Sequence, residues 1–148
     1  MTQPVYLISA CLCGQHCRYD GGTFDYPALR RLAEEGLAVP FCPEREGGLP
    51  IPRKPCEILD ARVLTQDGTD CTAEYTRGAK GALELCRRLG LTAAILKEGS
   101  PSCGVCRIRD GSHTGRKIAG NGITARLLKH NGIELYTEEQ LPPALHQE

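Results

Sequence analysis

The sequence has no tryptophan, one methionine and few aromatic residues, 5% in all. That leaves little material for a broad base-stacking platform of the kind that holds single-stranded nucleic acid. It also lacks net charge, because 18 acidic side chains offset 18 basic ones. Grip on long nucleic acid grows with the number of phosphates neutralised, so this chain is expected not to bind it. A local basic pocket for one small anion stays open. No apolar run approaches the roughly 20 residues that cross a membrane. Residues 4–10, "PVYLISA", are too short for a secretory signal core and follow no basic residue. The expected setting is cytoplasmic.

Cysteine, by contrast, is abundant: nine in 148 residues. In a reducing compartment such residues are metal ligands, catalytic groups or plain core side chains more often than disulfides. The odd count excludes complete pairing within the chain. The length suits one domain, residues 1–148, with a core of its own.

Apolar spacing along the chain alternates between two periods. Strands are expected at 4–10, 37–41, 58–65, 92–98 and 133–137. Helices are expected at 26–36, from about 69 to 89, and over "GNGITARLLKHNG", with Asn121 as a candidate cap and Gly132 as the stop. "TEEQLPPAL" reads as a closing short capped helix. Two stretches, 42–57 and 99–119, are rich in Gly or Pro and read as long loops of the kind that carry function. Strands alternating with helices indicate an α/β fold: a mostly parallel sheet with helices on both faces, Rossmann-like and three-layered.

Ligands of such sheets bind beyond the carboxyl ends of the strands. Cys11, Cys42 and Cys103 each follow a strand, so they are expected to meet there. Cys86 lies on an apolar helical stripe and reads as an inert core thiol. Cys56 and Cys71 read as mainly structural, and Cys13, Cys17 and Cys106 lie close enough to the expected site to be ambiguous. Structural zinc prefers paired short spacings, but only Cys103 and Cys106 have one, and His16, His113, His130 and His146 show no ligand spacing. A thiol redox pair at Cys103 and Cys106 lacks the early strand–CxxC–helix unit.

An iron–sulfur cluster tolerates widely spaced thiolates. Four cysteine ligands would suit an electron carrier, sensor or scaffold. Three would leave one iron open as a Lewis acid. Glu44 in "CPE" and Ser100 or Ser102 in "SPSCG" put a carboxylate and a hydroxyl beside the thiols, which suits hydrolytic chemistry. Their plainer roles are a solvated loop charge and turn capping. Arg18, Arg53, Lys54 and Lys97 flank these loops and could serve a phosphate, although surface charges of this kind are commonplace. The helix start in "GNGITARLL" is a second, weaker phosphate seat.

The stretches "ISACLCGQHCRYDGG", "CPEREGGLPIPR", "ILKEGSPSCG" and "DGSHTGRKIAGNGITARLL" resemble, in order and spacing, the thiouracil desulfurase (desulfidase) family. The resemblance covers about residues 5–137. It implies an α/β fold carrying a [4Fe-4S] cluster on three cysteines, Cys11, Cys42 and Cys103, with one open iron. It further implies Glu44 as the catalytic carboxylate and Ser100 as the catalytic hydroxyl. Arg18, Lys97 and Ser102 would then bind substrate, a small thiolated pyrimidine as base, nucleoside or nucleotide. The chain departs from the family pattern at Cys13, where an apolar residue is usual, and Cys106 is not required by it. Cys13 could therefore compete with Cys11, and Cys13, Cys17 or Cys106 could add a fourth ligand. The competing class is a non-catalytic iron–sulfur or metal-binding protein.

Overall fold

The computed structural model describes residues 3–24 and 26–145, so His146 lies outside the described residues. The chain runs β1 (Tyr6–Ser9), a 3-10 turn (Ala10–Cys13), α1 (Pro27–Glu34), β2 (Ala38–Phe41) and the short α2 (Pro43–Glu46). The hairpin β3 (Cys56–Leu59) and β4 (Arg62–Thr65) follows, then the long α3 (Thr72–Leu89) and β5 (Ala93–Leu96). A second hairpin, β6 (Arg107–Arg109) and β7 (Lys117–Ala119), precedes α4 (Ile123–His130), β8 (Glu134–Thr137) and a 3-10 turn at Pro143–Leu145.

The main sheet has the order β2-β1-β5-β8, with every pairing parallel. Side chains alternate across it with the two-residue period of a strand. Leu7, Ala94 and Leu96 face α3 and α4, where they join Ala82, Leu83, Cys86 and Leu128. Ile8, Ile95 and Ala38 face the other way, onto Leu29 and Leu32 of α1. Burying each such Leu or Ile stabilises the fold by about 1.5–3 kcal/mol. Helices on both faces of a parallel sheet are the expected architecture, and every residue of β5 is buried because both faces are covered.

Four details differ from expectation. The single strand expected at 58–65 is a hairpin that turns on Asp60 and Ala61, both at positive φ. Two left-handed residues make the tight turn, but Asp-Ala lacks the glycine that signals one. The loop 42–57 contains α2, and the loop 99–119 contains the hairpin β6–β7. The N-cap of α4 is Gly122, one residue after Asn121, whose side-chain amide donates to the Val105 carbonyl instead. The closing helix is only a 3-10 turn, because Pro142 and Pro143 remove backbone donors. Among the described residues no helix is long and apolar enough to cross a membrane.

Candidate active site

Strands β2, β1 and β5 are neighbours, so the three chain segments that leave their carboxyl ends are neighbours too. Those segments carry Cys11, Cys42 and Cys103, and all three thiols line one cavity of about 300 Å³. Glu44 and Ser100 line the same cavity. Arg18 and Lys97 line it as well, so seven of the eight candidate site residues share one space and only Ser102 lies outside it.

Glu44 is fixed by its helix. Cys42 is the N-cap of α2 and Pro43 its first residue, where a missing N–H costs nothing. The turn then lies directly on α3, with glycine at both points of closest approach. A Cβ on Gly78 would sit 1.9 Å from the Pro43 carbonyl oxygen, and one on Gly47 would sit 2.0 Å from that of Glu74. The Glu44 carboxylate is divided between two environments. Oε1 accepts from Tyr75 Oη at 2.8 Å and from Arg53 Nε at 3.1 Å, with Arg53 Nη2 also at 3.1 Å. Oε2 receives the Ser100 hydroxyl at 3.4 Å.

Ser100 is held equally firmly. Its Oγ accepts the backbone N–H groups of Ser102 and Cys103, each at 3.0 Å. With its oxygen used as an acceptor, its proton is directed at Glu44. The loop around it is organised by a residue the sequence reading passed over, Glu98. This carboxylate is 4% exposed. It accepts N–H groups from Gly99, Val105, Cys106 and Arg107, at 2.8–3.2 Å. Burial pushes its carboxyl up, but those four donors outweigh burial, and it sits below the ordinary carboxylate range. A lone acid at a strand end gives no sequence signal for such a role.

A fourth thiol shares the site. Cys17 is 1% exposed, lines the cavity and packs with Cys11 and Cys42, and the Cys42 thiol donates to the Cys17 carbonyl at 3.8 Å. The Cys11 contact is the main cause that pushes Cys17 up to about 11. Cys42 is pushed well above the ordinary thiol range, first by its contact with Cys17 and then by burial. Burial pushes Cys103 up to about 12, against the pull of the Ser9 hydroxyl. A thiol held that high is protonated at neutral pH, and to serve as a ligand it would lose its proton to solvent or a base as metal binds. Cys13 is different: its thiol donates to the Leu29 carbonyl inside the α1 core, away from the cavity, so it does not compete with Cys11. Cys106 is exposed and off the cavity.

The expected substrate contacts fall in different environments. Ser102 is 0% exposed, and its hydroxyl pairs with Thr124 Oγ1 at 2.8 Å, so it does not reach the cavity. Lys97 lines the cavity, but its ammonium is committed to Glu138 at 2.8 Å and to the Glu98 carbonyl. Lys54 pairs with Asp67 on the surface. Arg53 is committed to Glu44 and to the Cys17 carbonyl. The start of α4 cannot seat a phosphate, because its N–H groups from Gly122 to Ala125 donate to the carbonyls of Pro101, Ser102 and Gly104. Arg18 does line the cavity, stacked 4.4 Å from the Phe24 ring and beside Asp20. Two cations missed in the sequence, Arg109 and Lys117 of the second hairpin, also line it, and neither is in an ion pair among the described residues.

The donor set discriminates between metals. Among the described residues no three His, Cys, Asp or Glu groups converge on a point fit for one ion. A structural zinc ion takes four ligands at one point, an arrangement not found among the described residues. Thiols spread around a cavity fit a polynuclear iron–sulfur cluster.

Fold and site together define a small α/β protein whose strand ends gather thiols, a carboxylate and a hydroxyl round one cavity. The chain belongs to the 2-thiouracil desulfurase family, whose model matches residues 6–140. It is 40% identical over 145 residues to the uncharacterised protein YbbK of Bacillus subtilis (strain 168), covering 91% of this chain and 96% of that protein. It is also similar to a solved structure, the [4Fe-4S]-dependent thiouracil desulfidase TudS. That match has a TM-score of 0.91 and 47% identity, and covers 98% of this chain and 96% of that one.

Proposed function

We propose that this protein, acting as one domain in the cytoplasm, replaces the exocyclic sulfur of a thiouracil by oxygen and releases it as hydrosulfide. The observation that carries the reading is the meeting of Glu44 Oε2 and the Ser100 hydroxyl, 3.4 Å apart, in the cavity that Cys11, Cys42 and Cys103 line. Kinship at 47% identity with a [4Fe-4S]-dependent thiouracil desulfidase supports it.

In this reading Cys11, Cys42 and Cys103 hold a [4Fe-4S] cluster with one open iron. When bound, the cluster supplies a soft Lewis acid for the thiocarbonyl sulfur. The chain supplies the rest. Glu44 Oε2 takes a proton from the water that attacks the ring carbon, and Ser100 orients that water. The carbon–sulfur bond breaks, water's oxygen remains on the ring, and the proton on Glu44 is available to the departing sulfur. Water and thiocarbonyl become carbonyl and hydrogen sulfide, so no electron donor is required. Arg18, Arg109 and Lys117 suit a phosphate at the rim of the cavity, which extends the substrates from the base to a nucleotide.

Anaerobic reconstitution tests the reading, with iron quantified and sulfide release measured from 2-thiouracil, 4-thiouracil and 4-thiouridine monophosphate. Iron uptake with sulfide release is the expected result. Iron uptake with no sulfide from any of the three overturns it. Replacing Glu44 by Gln should keep the cluster's absorbance and lower turnover by roughly 10²–10⁴-fold.

A further inference from the structure

The two oxygens of Glu44 have different partners, and that division has a chemical consequence. Oε1 is saturated by Tyr75 Oη and by the Nε and Nη2 of Arg53, at 2.8–3.1 Å. Among the described residues Oε2 has one polar contact, the Ser100 hydroxyl. We infer that Tyr75 and Arg53 are positioning residues that anchor Glu44 through Oε1 so that Oε2 alone meets the reacting water. This rests on the desulfuration reading and deepens it.

Both anchors are themselves rigid. Tyr75 is 1% exposed on α3, packed with Cys56, Val63 and Cys71. Burial, and then the negative charge of Glu44, hold its hydroxyl far above the ordinary tyrosine value, so it remains a donor. The Arg53 side chain is 6% exposed, and its Nη1 and Nη2 also donate to the carbonyls of Pro50 and Cys17. The guanidinium thus ties the carboxylate to the loop that carries Cys17. A single-bonded carboxylate in the first turn of a four-residue helix would swing about its side-chain torsions. Three donors on one oxygen remove that freedom before substrate arrives, which is where orientation gains rate. The arrangement also explains why a buried arginine and a buried tyrosine point at a cavity without presenting free donors to it.

The test is a double-mutant cycle in sulfide release by the reconstituted protein. Tyr75→Phe should lower kcat about tenfold, with KM and cluster absorbance within about twofold of the unsubstituted protein. In a Glu44→Gln background the same substitution should cost less than about twofold, because a group that acts through Glu44 has nothing left to position. Arg53→Lys keeps the charge and loses the planar fork, and should show the same split. Equal losses in both backgrounds, or a Tyr75→Phe protein as fast as the unsubstituted one, overturn the inference. Failure of the desulfuration reading looks different: the iron-loaded, unsubstituted protein releases no sulfide. In that event thermal unfolding of the four proteins still decides the coupling. Tm shifts that add within about 2 °C overturn the anchoring, and larger non-additivity supports it.

Discussion

Replacing Gly78 by alanine tests how the site is held. Gly78 lies in the middle of α3, and in a free helix alanine there would stabilise by about 0.5–1 kcal/mol. Here the added Cβ would lie 1.9 Å from the Pro43 carbonyl oxygen and 2.6 Å from its carbon. Non-bonded atoms do not approach within 3.0 Å in such contacts, so α2 must move by about 1 Å. Forced overpacking of this kind costs about 1–3 kcal/mol, which outweighs the propensity gain. A loss near 2 kcal/mol lowers Tm by about 4–8 °C in a chain of this size. The displaced turn carries Cys42 at its cap and Glu44 in its first turn. Misplacing a reacting group by 1 Å costs about 10²-fold in rate. The assay pairs a thermal melt with sulfide-release kinetics on the reconstituted protein. A Gly78→Ala protein with raised Tm and undiminished kcat would refute the claim that α2 is seated on α3 through this glycine.

Four further outcomes follow from the same geometry. Cys17→Ser should keep its iron and its turnover, whereas Cys11→Ser, Cys42→Ser and Cys103→Ser should each lose more than about tenfold in iron retention; iron analysis after anaerobic gel filtration separates them. Glu98→Gln should cost about 2–3 kcal/mol of stability in a urea titration, because it removes a charged acceptor of four backbone donors. The folded Glu98 carboxyl lies below its ordinary value, so its stabilisation is present above about pH 4.5 and is lost as pH falls below that. The Gln variant should lack that part of the acid slope in stability measured between pH 6 and 3. Arg109→Ala with Lys117→Ala should raise KM for 4-thiouridine monophosphate by about 10–100-fold and leave KM for 4-thiouracil unchanged, as measured by initial rates.

Fold class and the gathering of Cys11, Cys42 and Cys103 were legible because a parallel sheet brings successive strand ends to one edge. That rule needs only strand positions, and periodicity located β1, β2 and β5 within a few residues. Glu44 and Ser100 were legible by proximity to those cysteines. What remained hidden depended on pairs distant in sequence. Lys97 is neutralised by Glu138 and Arg53 by Glu44, and neither pairing has a local signature. Ser102 faces Thr124, because its loop closes onto the start of α4. The same closure consumes the helix N–H groups that had looked free for a phosphate. Arg109 and Lys117 were unreadable because the hairpin that carries them over the cavity was hidden in a Gly-rich loop. Tyr75 sat on an apolar helical stripe, where a core role hid its hydroxyl's contact with Glu44.

The central claim is that water replaces sulfur without net redox chemistry at the cavity of Cys11, Cys42, Cys103, Glu44 and Ser100. The most direct measurement is a reaction of the reconstituted protein with 2-thiouracil in heavy-oxygen water, without reductant or oxidant, with sulfide and product oxygen counted together. The account predicts one sulfide released for each uracil formed, with the heavy isotope at the former sulfur position. Product lacking the isotope, or sulfide released only when an electron donor is supplied, would contradict it.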